Sequence, residues 1–527
     1  MDTERTRTTT SYHPLSHFKD EWKNSLVEHT SNLYDEFPDY HISDPDSLIS
    51  TSRIHSFQLG TGASIFTQSL IPAITEAKHE VILVTCFWAP SPTLSALREA
   101  LERLAAERCD RIHSAIMSGC DPDVSPLRIR ICFSSRSFLQ KLSHTWSRDG
   151  YVYPPSDWET VLGLPSPEVL HAGRIDLRVK SLFFLPFSVM HPKFLIVDRQ
   201  KAWLPSCNVS WEAWLEGCVE ITGNAVDGLV KFYRHVWDRQ LESHPPMLAQ
   251  TSTASPSSAS WDRPELTSVR SPASTFVALS AGVETPTVLL PSSHHRNPKF
   301  DIIPWHDSPP PPPTPLNYAI LRLLDIAVHS IYMQTPNLTS AAVIDGLLDA
   351  LKRGVNVSIV TSKGLMLLEQ IFTAGTTTAF CIRSLIRRYQ RLEAQYSQFE
   401  GSPLYQDSGS AVDVEAQRPP LGLLTIYYFQ SIPLDQPEGP AEEPVHSHVK
   451  LTIVDDKYTV LGSGNMDRAS WFTSQELGIM FKSAEFATKV GTAVGDVLAH
   501  RRELVFSSGT IVQLPTKSNQ PPELEAS

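Results

Sequence analysis

The chain has 527 residues, enough for two to four domains, and its 41% hydrophobic and 19% charged residues are those of an ordinary globular protein. A net charge of −12 gives no overall pull towards nucleic acid or an anionic surface, so only a local basic patch could supply one. The seven cysteines, Cys86, Cys109, Cys120, Cys132, Cys207, Cys218 and Cys381, are scattered, odd in number and without a CxxC pair, which reads as reduced buried thiols in a reducing compartment.

The start, MDTERTRTTTSYHPLSHF, lacks the apolar run of a secretory signal, and residues 1–54 read as an N-terminal extension. A first α/β domain is expected over 55–245. In it SIFTQSLIPAITEAKHE reads as a helix and VILVTCFW as a strand. LSALREALERLAAE reads as a second helix, with Leu94, Leu97, Leu101 and Leu104 on one face, and LRIRICF as an alternating strand. The most apolar stretch, SLFFLPFSVMHPKFLIV, is broken by two prolines, a His and a Lys, so it is no membrane span of about twenty apolar residues. A cytoplasmic protein is expected, with any membrane contact peripheral.

Residues 246–284 read as a Ser/Thr/Pro-rich linker, and the proline run within 309–315 as a semi-rigid spacer. A second domain, 285–510, repeats the order of the first. NYAILRLLDIAVHS is a helix and IYMQTP a strand. TSAAVIDGLLDALKRG is a helix with Val343, Ile344, Leu347, Leu348 and Leu351 on one face, a Thr or Ser at its start and Gly354 at its end. VNVSIV is the next strand. Residues 511–527 read as a loose polar tail.

Each half then reaches the same motif: HPKFLIVD at 191–198 and HVKLTIVD at 448–455. Composition alone predicts roughly a few hundredths of an occurrence of H-x-K-x4-D in such a chain. Taken as strands, the motifs put His191 and Lys193 on one face, likewise His448 and Lys450, with Asp198 and Asp455 at the far ends. Counting on from each Asp, Ser206 and Ser463 both fall at plus eight, Asn208 and Asn465 both at plus ten, and Glu220 and Glu476 about a dozen residues beyond the Asn. Two lysines with Ser and Asn donors suit a phosphate whose charge grows in a transition state. Two histidines can divide nucleophilic attack from proton transfer, provided their pKa values are pushed apart. A Glu on each remote ring nitrogen would fix tautomer and orientation. Nothing has metal-ligand spacing such as HExxH or paired Cys, so no metal or other cofactor is expected.

At these residues the sequence resembles the phospholipase D superfamily, whose pattern is H-x-K-x4-D-x6-G-S-x-N. HVKLTIVDDKYTVLGSGN matches throughout; HPKFLIVDRQKAWLPSCN departs where Pro205 replaces Gly, losing a backbone N–H and reshaping the phosphate-facing turn. The resemblance implies two mixed-sheet α/β domains related by a pseudo-twofold axis, with one active site at their interface. It implies His191 as nucleophile and His448 as general acid and base. Lys193, Lys450, Asn208 and Asn465, with Ser206 and Ser463, would hold phosphate, and Glu220 and Glu476 would orient the histidines. Asp198 and Asp455 would brace strand ends. The expected activity is cleavage or transfer of a phosphatidyl group through a phosphohistidine.

A nuclease of the same superfamily is the first alternative, against which the acidic balance counts. A non-catalytic scaffold is the second, resting on Pro205. Trp211 and Trp471 could line a pocket but read better as core, and His294, His295 and Arg296 read as a solvated loop. The helix at 376–391 buries Ile382, Leu385, Ile386 and Tyr389 and sets Arg383, Arg387 and Arg391 on another face, either solvated or against an anionic membrane.

Overall fold

The computed structural model describes residues 14–28, 44–119, 124–137, 140, 149–184, 188–238, 241, 268–280, 282–292, 310–400, 419–433 and 441–509. Most of the expected linker, the 511–527 tail and His294, His295 and Arg296 lie outside them.

The first half opens with helix α1 (Pro14–Glu28) and strand β1 (Ile49–Thr61), followed by a helical run of Gly62–Ile65, Phe66–Leu70 and Ile71–Thr75, the middle segment a π-turn. Then come β2 (Glu80–Phe87), α2 (Pro92–Met117), β3 (Leu127–Ser135), β4 (Ile175–Ser181), β5 (Phe194–Val197), β6 (Lys201–Pro205), β7 (Trp214–Thr222) and α3 (Asn224–Val236). The strands lie in the order β1-β7-β6-β5-β2-β3-β4, with only β2, β3 and β4 parallel. The Ser91 hydroxyl accepts the Leu94 N–H at 3.1 Å and Pro92 occupies the first turn, which starts α2 where the sequence stops being extended.

The second half runs β8 (Thr275–Ala278), β9 (Thr285–Ser292), α4 (Pro315–Ile326), β10 (Ser330–Thr335), α5 (Ala341–Lys352), β11 (Asn356–Thr361), α6 (Leu367–Ala374), α7 (Thr378–Glu400) and β12 (Leu424–Phe429). It continues with β13 (His446–Ser447), β14 (Leu451–Val454), β15 (Tyr458–Gly462), α8 (Arg468–Phe472), β16 (Glu476–Lys482), α9 (Ala484–Leu498) and β17 (Arg502–Ser507). Here the order is β9-β16-β15-β14-β10-β11-β12, again with only the last three parallel. Strand for strand this is the first sheet repeated, and the two equivalent edges, β1 and β9, pair antiparallel from Ile49↔Val288 to Ser52↔Thr285. The fold is thus the expected mixed α/β arrangement of two similar halves, joined edge to edge.

Several boundaries move. Strand β1 crosses the line drawn at 54/55, and α1 belongs to the second half: Phe18, Trp22 and Leu26 are buried, and the Trp22 indole donates to the Pro315 carbonyl at 3.1 Å. Within the expected linker, β8 pairs with β1 from Leu59↔Thr275 to Ser56↔Ala278. The proline run ends as a helix start, where Thr314 caps α4 through the Asn317 N–H at 3.2 Å. Strand β3 does not alternate, because both its faces are buried; Arg130 is buried within it and pairs with Asp176 at 2.9 Å. Helix α5 buries its expected apolar face and stops at Gly354 (φ +91°), though Ser340 makes no side-chain cap.

Candidate active site

Both motifs place their His and Lys just ahead of a strand rather than within it, because β5 starts at Phe194 and β14 at Leu451. The backbone there bonds across to the opposite half. The His191 N–H donates to the Gln475 carbonyl at 2.9 Å, and the His448 N–H donates to the Leu215 carbonyl at 2.8 Å. Met190 bridges Gln475, and Ser447 pairs with Leu215 in the short parallel β13–β7 ladder, so the same contact is made once in each direction. Each lysine folds back on its own histidine: Lys193 Nζ donates to the His191 carbonyl at 2.9 Å and Lys450 Nζ to that of His448 at 2.6 Å.

The carboxylates follow the same crossed pattern. His191 Nδ1 lies 2.8 Å from Glu476 Oε2, and His448 Nδ1 lies 2.8 Å from Glu216 Oε1. Each histidine is therefore held by the other half's glutamate. Glu220, expected on a histidine, is not there. It accepts the Ser56 hydroxyl at 3.0 Å, four residues further along β7 and so roughly 13 Å from Glu216. The equal spacing that selected Glu220 fails because the second half inserts α8 between Asn465 and its strand, whereas the first half has no helix there.

Ser206 and Ser463, expected on phosphate, instead lock these carboxylates. The Ser206 hydroxyl donates to Glu216 Oε2 and accepts the Gly217 N–H at 2.9 Å; the Ser463 hydroxyl donates to Glu476 Oε2 and accepts the Leu477 N–H at 3.0 Å. Ser470 holds the other oxygen of Glu476 at 2.7 Å.

Burial lowers the His448 pKa to about 3 against the pull of Glu216, and Lys450 and Lys193 lower it further. Burial also lowers His191, with Glu476 opposing and Lys193 and Lys450 assisting. Each imidazole thus feels both lysines, which places the two motifs around one centre. Burial pushes Glu216 and Glu476 up, but their histidines and serine donors outweigh it and leave both below the usual carboxylate range. Burial brings the Lys450 ammonium down to about 7. At neutral pH each pair is then a neutral imidazole donating Nδ1–H to a carboxylate, which leaves the Nε2 lone pair as the free end. Among the described residues, no three or more His, Cys, Asp or Glu gather as a group that could hold a metal ion.

Residues 320–494 match the family model described as "Cardiolipin synthase, PLD-like domain". That span contains the whole second motif and its Asn, and the first motif repeats it. Residues 320–494 therefore form a phospholipase D-like domain. Among solved structures the chain is similar to phosphatidylserine synthase from Haemophilus influenzae Rd KW20, at 14% identity over 92% of each chain with a TM-score of 0.49. It is also similar to Nuc, a phospholipase D family member from Salmonella typhimurium, at 16% identity over 36% of this chain and 90% of that one, with a TM-score of 0.24. No curated protein gives a significant sequence match.

The motif aspartates lie at the far ends of β5 and β14. Asp198 accepts the N–H groups of Lys78, His79 and Glu80, and Asp455 those of Val328, His329 and Ser330. Asp198 and Asp455 each have φ +52° and are followed by a second left-handed residue, so each turns a hairpin while tying down the start of β2 or β10. Replacing Asp455 by Ala is expected to cost about 1–3 kcal/mol, since it removes the charged acceptor of three N–H groups. Denaturant unfolding should show that loss, with the activity per folded molecule retained; a lost activity at unchanged stability would give Asp455 a chemical role.

Pro205 leaves the neighbouring bonds intact. The Ser206 N–H donates to the Gly217 carbonyl at 2.8 Å, as the Ser463 N–H does to Leu477 at 3.0 Å. The glycine matters only in the second half, where Gly462 has φ +147° and a Cβ would stand 2.4 Å from the Leu477 oxygen. The expected reshaping of the turn is therefore not seen in its hydrogen bonds. Asn208 and Asn465 are not equivalent: Asn208 Oδ1 faces the Phe87 N–H at 3.3 Å, while Asn465 Nδ2 donates to Asp467 at 3.0 Å. Trp471 is buried as core, whereas Trp211 is 58% exposed against Phe87. Sequence reasoning missed Trp214, whose ring lies 4.8 Å from that of His448, although its place two residues before Glu216 on one strand face was a usable signal.

Proposed function

We propose that the protein is a phosphodiesterase that cleaves or transfers the phosphatidyl group of a phospholipid through a phosphohistidine. The observation that carries the reading is the crossed pair of Glu–His contacts with two buried lysines around them. His191 Nε2 attacks phosphorus, and the bond to the leaving alcohol breaks as His448 Nε2–H gives its proton to the departing oxygen. The same nitrogen then takes a proton from water or an alcohol, whose oxygen attacks phosphorus and breaks the P–N bond. Lys193 and Lys450 balance the phosphate charge, with Asn208 and Asn465 as nearby polar groups. The phosphate's own negative charge raises the pKa of the histidine that must carry a proton, which the buried free protein holds neutral. The lipid part of the proposal is supported by the description of the matching family model.

The test offers the purified protein mixed phospholipid vesicles and a primary alcohol, and in parallel single-stranded DNA, both with saturating chelator. Phosphatidic acid or a phosphatidyl alcohol at an undiminished rate is expected. Nucleotide release without lipid turnover would move the protein to the nuclease reading, inactivity on both would favour the scaffold, and loss restored by added zinc would overturn a metal-independent mechanism.

A further inference from the structure

The described surface holds one apolar feature that the chemistry above does not use. Met366, Leu367, Leu368, Ile371 and Phe372, on or just before α6, are all exposed, Leu368 to 73% and Phe372 to 66%. Phe380, at the start of α7, is 63% exposed beside them in sequence. From Phe380 the helical period continues along the solvent side of α7 through Arg383, Arg387 and Arg391, all exposed, while Ile382, Leu385 and Tyr389 are buried. Arg388, off that line, is ion-paired with Asp345 at 2.7 Å. Six large apolar side chains in one region exceed the scattered exposure normal for a soluble surface.

The feature stands beside the candidate active site. The segment leading to α6 begins at Ser362, whose hydroxyl donates to the Ser447 carbonyl at 2.7 Å, one residue before His448. Gln370, the buried residue of α6, lies 2.8 Å from the Asn337 side-chain amide and accepts the Thr378 N–H at 2.6 Å. Asn337 in turn lies 3.5 Å from the Asp467 carboxylate that holds Asn465. Gln370 thereby pins both helix ends to the frame of the second motif while the apolar side chains point outward.

We propose that α6 and the start of α7 dock the protein onto an anionic lipid surface, with Met366, Leu367, Leu368, Ile371, Phe372 and Phe380 entering the interface and Arg383, Arg387 and Arg391 meeting lipid phosphates. The pairing of an apolar tip with a basic stripe is the charge and hydropathy pattern of an interfacial helix, in a chain whose net charge of −12 would otherwise repel such a surface. The proposal rests on the phospholipid reading and deepens it, because a docked α6 brings the site to its substrate. Among the described residues, no helix is long and apolar enough to cross a membrane.

The experiment is co-sedimentation of the full chain with vesicles of phosphatidylcholine and phosphatidylglycerol, using wild type, Leu368→Ser/Phe372→Ser/Phe380→Ser, and Arg383→Gln/Arg387→Gln/Arg391→Gln. Binding is expected to weaken roughly tenfold or more in each variant, and for the arginine variant the difference should vanish in high salt or on pure phosphatidylcholine. Turnover of a short-chain, monomeric phosphodiester should stay within about twofold of wild type. Wild-type vesicle binding by the serine variant overturns the proposal. So does a wild-type dimer that the serine variant converts to monomer, which would give the face to a second copy. A wild type that binds vesicles through this face but turns over no phosphodiester would end the substrate reading and leave the docking surface standing.

Discussion

Replacing His191 by alanine is expected to lower phosphodiester turnover by roughly 10⁴-fold or more and to leave no covalent phosphoryl-enzyme. Replacing His448 by alanine should cost roughly 10²- to 10⁴-fold on a phospholipid, the usual worth of a positioned proton donor, and much less on a substrate with an activated leaving group. With that substrate the adduct on His191 should form and persist, because the group that activates water is gone. The assignment agrees with accessibility: the His191 side chain is 15% exposed and that of His448 only 3%. The pH dependence follows from the burial shifts. The ratio kcat/KM, which reports the free protein, should fall on the alkaline side as Lys450, held near 7, loses the proton that anchors phosphate. On the acid side, protonation of the lowered His191 removes its lone pair while protonation of His448, held at about 3, supplies the acid, so kcat/KM should fall only below the lower of the two. These limbs belong to a coupled set rather than to single residues. Trapping the adduct on His448 would exchange the two roles while keeping the mechanism; near-normal rates in either alanine variant would end it.

Much of this arrangement is legible in the sequence because its signals are local. The helix–strand order of each half follows from apolar spacing, and the strand orders of the two sheets repeat accordingly. The His-x-Lys motif sits at the same point in both, ahead of a short buried strand. What escapes is what depends on contacts between distant segments. Helix α1 was legible only as an extension, although Phe18 and Trp22 at i and i+4 marked an apolar face, since nothing local says that their partner is α4. The serine hydroxyls face carboxylates rather than phosphate because the strand pairing of β6 with β7 and of β15 with β16 brings them there. The apolar residues of α6 carried no reading in the sequence, and only the fold leaves them exposed. The crossing of the histidine contacts between halves is likewise invisible to counting within one half.

That crossing makes the glutamates a sharp test, because Glu216 and Glu220 lie on one strand and only one of them touches a histidine. Changing Glu216 to Gln keeps size and shape but removes the charge that selects the Nδ1–H tautomer of His448 and opposes its desolvation. By analogy with the loss of the orienting carboxylate in a Ser–His–Asp triad, turnover should drop on the order of 10²- to 10⁴-fold. Glu476→Gln should do the same to His191, with a further effect from the Ser463 and Ser470 hydroxyls that now donate to its carboxylate. Glu220→Gln should stay within about twofold of wild type, as its partner is the Ser56 hydroxyl. The signature of orientation rather than of mere folding is differential. In Glu216→Gln the proton-transfer step suffers, so an activated leaving group should restore much of the rate, whereas in Glu476→Gln the attack itself suffers and it should not. Because Glu216 sits in the first half and acts on the second half's histidine, each half is expected to be inactive alone, and each carboxylate change to resemble loss of the other half's imidazole. A loss of equal size in Glu220→Gln, or full activity in Glu216→Gln, would show that the crossed contacts do not position the histidines.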